Sequence, residues 1–155
     1  MSRLVLGIGN TIMGDDGVGI YVARMVKNRL QSRTDLDVKE LGVSGLKLVE
    51  EILGYEEVII VDSYSSPDSD PGRVREFDPG QFQDTLHPSS PHETNFATAL
   101  QLYRRLTPGR IPRKIRIFTV DIYAAQTFGE DLSPPIREAA SRLAESIISE
   151  IEEIQ

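Results

Sequence analysis

The stretch "EEVIIVD", residues 56–62, limits the possible folds more than any other part of the chain. Four consecutive apolar residues give a strand that is apolar on both faces, which requires a covering layer on each side. That is the situation of a parallel strand between two layers of helices. Neighbouring sequence supplies the rest of such a fold. "RLVLGIG" reads as a second buried strand, and beyond a turn Val18, Val22, Val26 and Leu30, with Ala23 beside them, recur at helical spacing. "DVKEL" is a weaker strand, and Leu46, Val49, Ile52 and Leu53 mark a short helix that Gly54 stops. After the loop "SYSSPDSDPG", "RVREF" reads as a short edge strand and "KIRIFTVDI" as a longer one. "SPPIREAASRLAESIISEIEEI" is a closing amphipathic helix. The expected fold class is α/β, three-layer: a twisted, mainly parallel sheet of about five strands with helices on both faces.

At 155 residues the chain is expected to form one domain over residues 1–155, burying roughly two-thirds of its unfolded surface. No apolar run approaches the roughly 20 residues of a membrane span. The absence of Cys excludes disulfides, thiolate ligands and a thiol nucleophile. "MSRLVLGIG" is too short for a signal peptide, so a cytoplasmic location is expected. With 24 acidic against 17 basic residues the formal charge is −7. That charge opposes attraction to nucleic acid or to an anionic membrane.

"GNTIMGDDGVG", residues 9–19, is a glycine-rich turn straight after the first strand. Such turns usually hold phosphate on exposed N–H groups, but this one lacks the third glycine of a dinucleotide site, where Ile12 stands, and the Lys of a P-loop. Asp15 and Asp16 would also repel an anion. In open α/β sheets ligands gather at the carboxyl ends of the strands. Asp16 lies just past the first strand, and Asp62 closes "EEVIIVD" at the same edge if the two run parallel. "SPHE", residues 90–93, is a capping box, which puts His92 in the first turn of the helix carrying Phe96, Leu100 and Tyr103. The helix dipole there favours a neutral imidazole able to bind metal. Asp16, Asp62 and His92 make a donor set for nickel, zinc or manganese. Each also has a plainer role: Asp15 as an N-cap, Asp16 as a first-turn acid, Asp62 as the start of a turn, His92 as a capping or surface residue. His87 is the rival imidazole. Glycines 9, 14, 17 and 19 serve a tight turn on either reading.

Taken in order, "GIGNTIMGDDGVG", "ELGVSGLKLVEEI", "VIIVDSY" and "SSPHETN" resemble the hydrogenase maturation endopeptidases over nearly the full length. The resemblance implies a peptidase that removes the C-terminal extension of a nickel-iron hydrogenase large-subunit precursor after nickel insertion. It implies that Asp16, Asp62 and His92 are the metal ligands, recognising nickel already held by substrate thiolates, so that an empty precursor escapes cleavage. The metal would polarise the scissile carbonyl or activate water, with Asp16 or Asp62 as general base. Ser44, Ser63, Ser65 and Ser66 have no assignable His and acid partners for a serine mechanism.

Two motifs depart from the family pattern. Glu40 stands where many members have aspartate, keeping the charge on a longer arm, and "TVDI", Thr119 to Ile122, replaces a G-I-E/Q-P-like turn. Two further readings are a nickel-sensing maturation chaperone that cuts nothing, and a metal-dependent hydrolase of a small substrate.

Overall fold

The structure is a computed structural model that describes residues 2–42, 46–79, 95–123 and 128–153. In chain order the elements are β1 (Arg3–Ile8), a 3-10 turn (Gly14–Gly17), α1 (Val18–Arg29), β2 (Leu36–Leu41), α2 (Leu46–Ile52) and β3 (Glu57–Tyr64). Then come β4 (Val74–Phe77), α3 (Asn95–Leu106), a 3-10 turn (Pro108–Arg110), β5 (Lys114–Asp121) and α4 (Pro134–Glu153). The strands form one five-stranded sheet in the order β2-β1-β3-β5-β4. Every pairing is parallel except that of β4, which runs antiparallel to β5 at the edge.

Sequence pattern accounts for each layer. In β3 the burial is two-sided: Ile60 and Val61 are both fully covered, one on each face. Val61, with Val5, Phe118 and Val120, packs against Val18, Val22 and Val26 of α1 and the apolar face of α4. Ile60, with Leu4, Leu6 and Ile117, packs against Leu48 and Ile52 of α2 and Phe96 and Leu100 of α3. Each such fully buried side chain contributes about 1.5–3 kcal/mol. The expected stripes on α1 and α3 therefore both face the sheet, while β2 and β4 are only partly covered, as edge strands are. The capping box at residues 90–93 lies outside the described residues, which resume with α3.

Two contacts fix the turn after β1. A Cβ on Gly19 would collide with the carbonyl oxygens of Val61 and Ile8, so α1 lies backbone against backbone on β1 and β3. Gly9, with φ +156°, leaves no room for a Cβ beside the Asp16 carbonyl. Asp15 does not take the plainer role of an N-cap of α1: that position is Gly17, with no side-chain capping bond. Its buried carboxylate instead accepts the N–H (2.7 Å) and the hydroxyl (2.7 Å) of Ser133, immediately before α4. A carboxylate at that helix end satisfies a free donor and suits the dipole.

Gly19→Ala should cost about 3 kcal/mol through overpacking, whereas Gly109→Ala, with open space around it, should stay within about 0.5 kcal/mol. Denaturant unfolding of the two variants checks the difference. Asp15→Ala should lose about 2–3 kcal/mol, because it strands two Ser133 donors, with Asp15→Asn losing less in the same assay.

Candidate active site

The order β2-β1-β3 means that the chain leaves β1 toward one side of the sheet and later continues on the other. The gap between the carboxyl ends of β1 and β3 is thus a topological switch point, where ligands bind in open α/β sheets. Pairing of β1 with β3 runs to Gly7 opposite Val61. Asp62 is the first β3 residue past that ladder, and the turn bearing Asp16 follows β1. Both carboxylates therefore stand at one edge, as the parallel arrangement required.

Asp16 is half-buried and held at both oxygens. Its Oδ2 accepts the Asn10 N–H at 3.0 Å, and its Oδ1 accepts the Ser63 hydroxyl at 2.9 Å. Asp62 is 5% exposed, and its Oδ1 accepts the Ser63 N–H at 2.7 Å. Ser63 thus donates to both carboxylates, a role distinct from that of a serine nucleophile. Strand parity was the available signal: Ser63 follows Val61 onto the α1 face, while Asp62 follows Ile60 onto the other. His92 and its rival His87 lie outside the described residues, as does Ser44. Among the described residues no three metal-ligating side chains converge. Of the expected donor set, Asp16 and Asp62 lie among the described residues, at one sheet edge.

The two departures from the family pattern have structural explanations. Glu40, at the end of β2, accepts Arg24 Nε at 3.0 Å and Nη2 at 2.9 Å in a two-point pair. Hydrogen bonding to Glu40 raises the Arg24 pKa further above its ordinary value. In "TVDI", Thr119 lies opposite Asp62 in the ladder and Asp121 opposite Tyr64. Asp121 is fully buried; its Oδ2 accepts Arg75 Nη2 at 2.9 Å and the Asp70 N–H at 3.0 Å. Arg75 also stacks over the Tyr64 ring, 4.8 Å from its centre. Thr119 Oγ1 and Asp121 Oδ1 are buried without a hydrogen bond. The sequence held a cue to Asp121, since it closes "IFTVD" as Asp62 closes "VIIVD".

Around the site, the turn is tied to residues 128–130. Gly129 accepts the Gly14 N–H at 2.7 Å and donates to the Ile12 carbonyl at 2.9 Å. Ile12 and Phe128 stay exposed on this ledge. An open cleft of about 330 Å³ flanks the turn, lined by Thr11, Gly14, Gly17, Tyr21, Arg24 and Glu130 among others. A cavity at the amino end of the sheet, among Arg3, Glu57 and Lys114, is only about 50 Å³ and remote from the aspartates.

Comparison with known proteins places the chain. The family described as HycI, hydrogenase maturation protease, matches residues 20–150. The hydrogenase 2 maturation protease of Escherichia coli is 26% identical over 124 residues, covering 77% of this chain and 73% of that protein. The hydrogenase expression/formation protein HoxM of Azotobacter vinelandii is 26% identical over 95% of this chain and 72% of its own length. Among solved structures, the maturating endopeptidase HybD from E. coli superposes with a TM-score of 0.77 at 23% identity, over 99% of this chain and 93% of that one. The [NiFe] hydrogenase maturation protease HycI from Thermococcus kodakarensis gives 0.71 at 26% identity, over 96% and 90%. The chain belongs to the hydrogenase maturation protease family and is a peptidase.

Proposed function

We propose that this peptidase removes the C-terminal extension of a nickel-iron hydrogenase large-subunit precursor once nickel has been inserted. In this reading Asp16, Asp62 and His92 recognise the metal in the substrate. The observation that carries it is the pair of carboxylates at the switch point, Asp16 pinned by Asn10 and Ser63, and Asp62 by the Ser63 N–H. Nickel already held by substrate thiolates has room for oxygen and nitrogen donors, which a carboxylate pair and an imidazole provide. A precursor without metal offers the two aspartates no cation, so it binds weakly and is left uncut.

The substrate is itself a protein, which suits the surroundings of the site. The cleft beside the turn is open, and Ile12 and Phe128, 52% and 82% exposed, offer apolar contact on the ledge where residue 129 is tied to the turn. Asp16 and Asp62 act on the substrate chain at the sheet edge, one of them taking a proton from the attacking water as general base. The bound nickel would supply the positive charge that stabilises the developing oxyanion. The pair resists displacement because each hydrogen-bond donor that orients it belongs to the backbone or to a buried side chain.

Intact-mass measurement of a cognate precursor should show one nickel-dependent loss of a C-terminal peptide. Asp16→Asn and Asp62→Asn should each lower kcat by about 10²-fold or more, and His92→Ala should weaken selection for the nickel-loaded form. A nickel-independent cut, or full activity in both aspartate variants, would overturn this assignment.

A further inference from the structure

Ser63 has a polar side chain near the carboxyl end of β3, just past the apolar run Val58 to Val61 that packing explains. Parity puts it on the α1 face with Val61, whereas Asp62 emerges toward α2 and α3 with Ile60. Two carboxylates rooted on opposite sides of a sheet have no intrinsic reason to hold a fixed separation. At this edge one residue, Ser63, donates to both. The Ser63 hydroxyl donates to Asp16 Oδ1 at 2.9 Å, and the Ser63 N–H donates to Asp62 Oδ1 at 2.7 Å.

We propose that Ser63 is a positioning residue that sets the spacing and orientation of the Asp16 and Asp62 carboxylates. The proposal rests on the functional assignment of those two aspartates made above. Ser63 is only 6% exposed, so water is a poor substitute for its hydroxyl. Without that hydroxyl Asp16 keeps the Asn10 N–H on Oδ2 but loses the donor that holds its Oδ1. Asp62 keeps its backbone donor whatever side chain stands at 63. The device is therefore asymmetric, with the hydroxyl governing Asp16 and the strand backbone governing Asp62. Its neighbour Ser66 is otherwise engaged, closing its own loop through the Asp68 N–H and Ser69 Oγ.

The test compares Ser63→Ala, Ser63→Thr and Asp16→Asn with the wild type. Two quantities are read for each: kcat/KM on the nickel-loaded precursor, and the ratio of Kd for nickel-free to nickel-loaded precursor. Ser63→Ala should lose about 10-fold in both with its melting temperature nearly unchanged, and Ser63→Thr, which restores a hydroxyl, should recover most of each. A purely structural role would leave the Kd ratio intact. Wild-type values for Ser63→Ala, alongside a loss in Asp16→Asn, would overturn the role of Ser63 alone. Wild-type values for Asp16→Asn would overturn the assignment of the aspartates on which it rests. A loss of about 10⁴-fold in Ser63→Ala that Thr does not rescue would also contradict positioning, since that size belongs to a nucleophile. If Ser63→Ala does not fold, Ser63→Cys keeps the volume with a weaker donor and should show the same pair of losses.

Discussion

Everything at the functional edge depends on how closely α1 lies on the sheet. At Gly19 the helix backbone meets the carbonyls of Ile8 and Val61 with no space for a side chain. That contact ties the end of β1, the end of β3 and the first turn of α1 into one rigid corner. The turn before α1 has little freedom left, and Asp16 is delivered to within hydrogen-bond reach of Ser63. Asp15, its neighbour, is used differently: it reaches across to Ser133 and fastens the corner to the start of α4. Adjacent acids in one short motif thus divide the work, one holding the fold and one facing the site.

Placing two carboxylates at one edge is unfavourable in itself, because like charges repel and burial removes solvation. Hydrogen-bond donors offset part of this cost. The N–H groups of Asn10 and Ser63 and the Ser63 hydroxyl are aimed at the two carboxylates. Arginine is instead spent at the periphery, where Arg24 is paired with Glu40 and Arg75 with Asp121. Thr119 Oγ1 and Asp121 Oδ1 add a further cost of about 1–3 kcal/mol each, as buried polar atoms without partners. Such costs concentrate where function rather than stability governs the choice of residue.

Much of this fold was legible in the sequence because it follows from short-range periodicity. The unbroken run in β3, the helical stripes at Val18, Val22 and Val26 and at Phe96 and Leu100, and the weak edge segment before Phe77 each carry their own signal. The convergence of Asp16 and Asp62 followed from one added assumption, that β1 and β3 are parallel. What the sequence could not reveal are pairings across long separations. Asp15 with Ser133 and Arg75 with Asp121 depend on which strands become neighbours and in what register. Ser63 was missed for a different reason: it was weighed as a nucleophile, whereas its importance lies in what it donates to.

In the proposed function the enzyme's carboxylates meet the nickel of its substrate. Nickel K-edge X-ray absorption tests it directly, on nickel-loaded precursor alone and on the freeze-quenched complex with enzyme. Oxygen or nitrogen scatterers at about 2.0–2.1 Å should join a sulfur-dominated shell on complex formation, and fewer should join with Asp16→Asn. A nickel shell identical in the free precursor and the complex would contradict it.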